Sequence, residues 1–193
     1  MDERDLILQD VRKAVDKLGS TPAFSEFVPE VRCNIVYSLP CPRTKEDVAA
    51  VDGRITIVNG APKACGDVKF GASRHLSAVI LALNASNIHG AQKRACINIR
   101  FTEALKRRLE AFCERNGLTL GHVDRGREPP EIVREEGRSL PWVIGELLGS
   151  TGGKAPDFYY TCGGVGKEDM IICLGDSATG VVADALGFLG LKG

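Results

Sequence analysis

The sequence predicts an α/β domain of three layers, with helices on both faces of a mixed sheet. Stripes of apolar residues at helical spacing alternate along the chain with short strand-like runs, the pattern of a sheet covered by helices. The apolar runs DFYY and MIICLG are joined by a turn at 161–168 that is too short for a crossover, so some strand pairs must be antiparallel. With 44% apolar residues in a chain of 193, one hydrophobic core in one domain is the expectation.

Residues 2–18, DERDLILQDVRKAVDKL, place Ile7, Val11, Ala14 and Leu18 on one helical stripe, with acidic residues early where the helix dipole favours them. Residues 1–25 are therefore read as an N-terminal helix and linker, and 26–193 as the main domain. The stripe suits packing on that domain or on a second copy. The prolines of GSTPAFSEFVPEV and SLPCPRTKEDV make irregular segments around a short strand, CNIVYS. RITIV (54–58) is strand-like, and NGAPKACGD reads as a turn. In VKFGASRHLSAVILALN, Leu76, Val79, Ile80 and Leu83 share a helix face, and Ser73 is the expected N-cap.

ACINIRF (95–101) alternates, with Ile97, Ile99 and Phe101 towards a core and Cys96, Asn98 and Arg100 on a polar face. TEALKRRLEAFCERNG follows as a helix stopped by Gly117, then a strand TLGHV. The paired prolines of DRGREPPEI argue against regular structure there. LPWVIGELL is a short helix, and DSATGVVADALGFLG closes the chain as a helix capped by Asp176 or Ser177.

Charges balance at 25 against 25, so no overall field favours nucleic acid, and an anion site must be a local cluster. No apolar run is long enough to span a membrane, and the acidic start is unlike a signal peptide. A cytoplasmic protein is expected. Seven cysteines without a C-x-x-C suggest neither a disulfide framework nor a zinc ribbon, and most should be small buried hydrophobes.

The turn CGGVGKED (162–169) raises a phosphate-binding reading. It is not a nucleotide P-loop: Glu168 stands where Ser or Thr would hold magnesium, and Thr161 replaces the first glycine. Gly163, Gly164 and Gly166 could still wrap an anion with backbone N–H groups beside Lys167, or simply turn one strand into the next. Four further polar clusters fall at element ends: Gly53-Arg54, Ser73-Arg74-His75, Asn98 with Arg100, and Asp124-Arg125 with Glu128. Arginine forks suit phosphate oxygens, and Ser73 to His75 lie where a helix N-terminus favours an anion. Asp124, Glu128 and Glu168 could hold Mg2+ together with substrate phosphates, or could pair with the arginines. His89 has no metal-ligand spacing to another histidine and is left out of the site.

In order, FVPEVRCNIVYS, EDVAAVDGRI, VKFGASRHLSAVIL, ACINIRF, DRGREP and PDFYYTCGGVGKEDMIICLG resemble the archaeal-type thiamine-phosphate synthase (ThiN-type) domain over roughly residues 28–190. The resemblance implies a fold like the N-terminal domain of class II aldolases. It also implies a reaction in which hydroxymethylpyrimidine diphosphate and hydroxyethylthiazole phosphate are joined, with release of pyrophosphate. Arg54 and His75 match the Arg and His of catalytic members, which implies that they stabilise the leaving diphosphate. Ser73, Arg74, Asn98, Arg100, Arg125, the three turn glycines and Lys167 would then hold substrate phosphates, with Mg2+ accompanying the diphosphate. Members of this kind usually carry an acidic residue before the turn's glycines and a proline after Lys-Glu; here the residues are Cys162-Gly163-Gly164 and Asp169.

The alternative is a sensor module that binds thiamine phosphates without chemistry and acts through a partner. A DNA-binding version needs a basic helix-turn-helix of roughly 50 residues before the domain, whereas only about 25 residues, acidic at the start, stand there. An aldolase-like enzyme would need a histidine cluster for a metal, and the chain has three scattered histidines. A homodimer, and possibly a separate pyrimidine kinase as partner, complete the expectation.

Overall fold

The computed structural model describes residues 2–86, 92–134 and 137–191. His89 lies outside them. The elements run α1 (Glu3–Gly19), β1 (Ile35–Ser38), β2 (Val48–Val51), β3 (Ile55–Val58), β4 (Ala61–Ala64), β5 (Val68–Phe70), α2 (His75–Ala85) and β6 (Ala95–Arg100). They continue with α3 (Glu103–Asn116), β7 (Leu120–Asp124), α4 (Pro130–Arg134), α5 (Ser139–Ser150), β8 (Phe158–Cys162), β9 (Met170–Gly175) and α6 (Ala178–Phe188). Seven strands form one sheet in the order β5-β2-β1-β6-β9-β8-β7. All neighbours are antiparallel except β7 and β8, whose parallel pairing is made possible by the crossover through α5.

The strands separate two cores by the period-2 rule. Ile35, Ala49, Ala95, Ile97, Ile99, Phe158 and Ile171 face α1, α3 and α6. Val36, Ala50, Cys96, Tyr159, Ile172 and Leu174 face Leu76, Val79, Ile80 and Leu83 of α2 and Val143, Ile144 and Leu147 of α5. Three layers result, and the mixed sheet between helices is as the sequence predicted. Gly121 shows how closely α5 seats on β7, because any Cβ there would collide with Leu147.

The expected polar face of ACINIRF is instead buried: from Ala95 to Ile99 every residue of β6 is covered, because helices lie on both sides. NGAPKACGD is not a plain turn. Asn59 and Gly60 both have positive φ and fold β3 onto β4 as a two-stranded hairpin, with Pro62 tolerated on an edge strand. DRGREPPEI holds a 3-10 turn at Arg125–Arg127 and the short α4, since a proline fits the first turn of a helix. β2 shows no alternation in VAAV, all four residues being buried. The capping of α3 by Thr102 and α6 by Ser177, and the left-handed Gly117, follow the sequence signals. Cys33, Cys96, Cys113 and Cys173 are buried, and all seven cysteines are free thiols.

α1 folds back on the same core as the rest of the chain. Ile7, Val11, Ala14 and Leu18 are each at most 2% exposed. On its neighbouring face Asp10 caps α6: one carboxylate oxygen accepts from Ala178 N at 2.8 Å and Thr179 N at 3.2 Å, the other from the Thr179 hydroxyl at 2.7 Å. Leu18→Ala is therefore expected to destabilise the whole domain by about 2–5 kcal/mol. Urea unfolding would read this as one shifted transition, whereas a detachable helix would leave the main transition in place.

Candidate active site

A sheet covered on both faces leaves room for polar side chains only at its strand ends, and one such end opens into a pocket of about 750 Å³. Its wall is built from the loop before β1, the β2–β3 turn, the entry to α2 and the end of β6, and includes Arg32, Gly53, Arg54, Ser73, Arg74, His75 and Asn98. The clusters at Arg54, at Ser73 to His75 and at Asn98 are thus brought together. Arg100 is not among the lining residues; it lies exposed at the end of β6 opposite Met170.

Two buried amides frame the pocket. Asn34 Oδ1 accepts from Ile35 N at 2.8 Å and Val51 N at 3.1 Å, and its Nδ2 donates to Val51 O at 3.0 Å. Asn98 Oδ1 accepts from Asn34 N at 2.8 Å while its Nδ2 donates to Arg32 O at 2.9 Å. Both oxygen and nitrogen of Asn98 are spent on backbone, so it positions the loop and does not offer a free amide to phosphate, as the sequence had suggested. Beyond Val51, Gly53 and Arg54 are both left-handed, with φ of 71° and 72°, and the Arg54 guanidinium donates to Val31 O.

Ser73 is buried but does not cap α2. The N-cap position is Arg74, whose backbone is already helical and whose side chain makes no capping hydrogen bond. His75 thus opens the helix. Although it is exposed, enough protein surrounds it that desolvation lowers its pKa, and the Arg125 and Arg54 charges lower it further. Its imidazole is neutral at pH 7 in the free chain.

The glycine turn and the Arg125 segment form a second, smaller pocket of about 250 Å³, lined by Arg125, Arg134, Gly163, Gly164 and Lys167 among others. Gly163, at φ 80°, packs so tightly that a Cβ would stand 2.9 Å from Asp124 Oδ1 and 3.1 Å from Gly126 N. Glycine is required here by both conformation and close approach. Gly164 O accepts from Lys167 N at 3.1 Å, closing a turn with Gly166 at φ 68°. Both cations converge on Glu128: its Oε2 accepts from Arg125 at 2.9 Å and Lys167 at 3.1 Å. Ser139, at the start of α5, accepts from the same two groups at 2.6 and 3.1 Å. Ser139 carried no motif in the sequence; only α5 folding over β7 brings it to the turn.

The three carboxylates suggested for Mg2+ are otherwise engaged. Asp124 Oδ1 accepts from Gly126 N at 2.9 Å. Glu168 caps the loop before β1, accepting from Glu30 N at 2.7 Å and Val31 N at 2.9 Å. Glu128 keeps one buried oxygen without a partner, but its other oxygen is committed to cations. Among the described residues no group of three or more His, Cys, Asp or Glu side chains could hold a metal. As placed, Asp124, Glu128 and Glu168 do not form a site for a resident ion.

Burial alone would raise the Glu128 carboxyl, but hydrogen bonds with Ser139, Arg125 and Lys167 outweigh it and hold the pKa below the ordinary range. A depressed carboxylate stabilises the fold above its unfolded value and loses that contribution as pH falls through the folded one. Glu128→Gln should cost about 1.5–3 kcal/mol near neutral pH. The difference between native and variant unfolding curves should shrink below about pH 4.3, and a pH-independent difference would contradict the ion-pair account.

Against this geometry, the family model described as Thiamine-phosphate synthase ThiN matches residues 10–186. The chain is 38% identical over 182 residues to the thiamine-phosphate synthase ThiN of Methanothermobacter thermautotrophicus, covering 94% of this chain and 92% of that one. It is also 38% identical over 157 residues to the bifunctional thiamine biosynthesis protein ThiDN of Methanocaldococcus jannaschii, but spans only 34% of that longer protein. The solved C-terminal domain of phosphomethylpyrimidine kinase superposes with a TM-score of 0.88 at 34% identity, covering 96% of this chain and all of that domain. Sequence match over nearly the whole chain and the same fold at the same residues carry one conclusion: the chain belongs to the thiamine-phosphate synthase ThiN family.

Proposed function

We propose that the chain is a thiamine-phosphate synthase, a transferase that joins hydroxymethylpyrimidine diphosphate to hydroxyethylthiazole phosphate. The observation that carries the reading is the convergence of Arg54 and His75 on one pocket, within a chain so similar to a named synthase. In the reaction the thiazole nitrogen's lone pair forms the new C–N bond at the pyrimidine methylene. The C–O bond breaks, its electron pair leaves with pyrophosphate, and a thiazolium results. Charge therefore builds on the departing diphosphate, where preorganised cationic donors are most effective.

Arg54 and His75 are placed in this reading at the diphosphate, with Arg74 beside them. The Arg125 and Lys167 corner takes the thiazole phosphate, which holds the ring nitrogen towards the methylene. Glu128 then keeps both cations in place without a substrate. Mg2+ is expected to arrive with the diphosphate as its counter-ion, since Asp124, Glu128 and Glu168 already hold partners within the protein. A pyrimidine kinase is the natural supplier of the diphosphate, a partnership supported by the similar kinase C-terminal domain. No described helix is long and apolar enough to cross a membrane, which accords with a cytoplasmic place for the enzyme. A homodimer belongs to the same proposal, and sedimentation would give its mass.

The free imidazole of His75 is neutral, so it must gain a proton before it can give one to the leaving oxygen. A bound diphosphate supplies the negative field that raises its pKa. Calorimetry with pyrophosphate at pH 7 should therefore show net proton uptake, seen as a dependence of the heat on buffer ionisation and absent in His75→Ala. The direct test is product formation from the two purified substrates. Native protein should turn over, and Arg54→Ala and His75→Ala should each lose about 10²–10⁴-fold in kcat while remaining folded. Native protein that binds thiamine phosphate but makes none would overturn the synthase reading.

A further inference from the structure

We propose that Arg32 is a second arginine of the diphosphate clamp, acting beside Arg54; the identity of that ligand rests on the synthase reading. Four non-glycine residues among the described ones have positive φ: Arg32 at 71°, Cys41, Arg54 at 72° and Asn59. Asn59 belongs to a hairpin turn and is a residue type at ease there. An arginine gains no such local benefit, yet the two arginines of this set both line the large pocket. Strained backbone of this kind persists where the surroundings over-determine it.

The loop before β1 is over-determined. Glu30 N and Val31 N donate to the Glu168 carboxylate at 2.7 and 2.9 Å, and Arg32 N donates to Pro29 O at 2.9 Å. Val31 O accepts from the Arg54 guanidinium, and Arg32 O accepts from the buried Asn98 amide at 2.9 Å. A loop pinned at five backbone groups fixes where the Arg32 side chain leaves it. That side chain is exposed on the pocket wall, where its guanidinium faces the weakly accepting Cys65 Sγ at 4.0 Å. Among the described residues no carboxylate pairs with it within 4.0 Å. Its fork is available for phosphate oxygens, and two guanidinium groups suit the several oxygens of a diphosphate.

Glycine accepts the left-handed conformation freely, so replacing Arg32 by glycine separates backbone from side chain. Arg32→Gly should melt no lower than the native protein but bind inorganic pyrophosphate at least tenfold more weakly in calorimetry. Arg32→Asn, which also tolerates positive φ, should behave alike, and Arg32→Lys should recover part of the affinity. The clamp is overturned if the native protein does not bind pyrophosphate, if Arg32→Gly binds it as tightly as native, or if both variants lose affinity only in step with melting temperature. Pyrophosphate binding lost in Arg32→Gly, in a native protein that forms no thiamine phosphate, would keep the clamp and remove the synthase reading.

Discussion

A seven-stranded sheet covered by helices on both faces can place polar side chains only where its strands end, and the rest of the molecule follows from that constraint. Along β6 the residues from Ala95 to Ile97 and Ile99 are wholly apolar or thiol-bearing, while Asn98 and Arg100 come at the end. Asn34 occupies the matching position just before β1. A buried amide costs free energy unless its donors and acceptors are met, and the two asparagines meet that requirement by bonding the backbone of the neighbouring segments. In doing so they tie the loop carrying Arg32 and the strand leading to Arg54 to the central β1–β6 pair of the sheet.

The chain as a whole is electrically balanced, but the balance is not local. Arg125 and Lys167 share one buried carboxylate, Glu128, while Arg54 donates to the backbone oxygen of Val31 and Arg32 to Cys65 Sγ. Lys167 and Glu168 are consecutive, yet the first faces the glycine-turn corner and the second caps the loop of the large pocket. A change in the glycine turn is therefore felt at both pockets through adjacent residues of one strand-to-strand connection. The departures in this turn from the usual family pattern, Cys162-Gly163-Gly164 and Asp169, leave that arrangement intact, because its hydrogen bonds are made by the side chains of Lys167 and Glu168.

The site also carries strain that stability alone would remove. Left-handed arginines are unfavourable, and the hydrogen bonds of Asn98, Glu168 and Arg54 itself hold them there. Three cationic side chains, Arg32, Arg54 and Arg74, gather at the same strand end. Preorganisation of this kind would place the cost in folding and, in the proposed reaction, the benefit in binding a charged leaving group.

Local signals along the chain suffice for the three-layer class, most of the helices, and the short strand-to-strand turn that forces antiparallel pairing. These rest on local signals: the stripes of α1 and α2, the Thr102 and Ser177 caps and the Gly117 stop. Arg54, His75 and Lys167 were legible because each stands in a short motif with its own chemistry. Strand β2 was not, because a strand buried on both faces loses the alternation that announces it. Nor was Ser73 legible as a buried non-capping residue, since the start of α2 is set by packing. Only the tertiary structure decided the roles of the acids and amides. Glu168, Asp124 and Asn98 look like ligands in sequence and become caps and braces once their partners, up to 138 residues away, are brought beside them. Arg32 and Ser139 emerge for the same physical reason: a side chain's partner is fixed by long-range folding, and spacing along the chain carries no record of it.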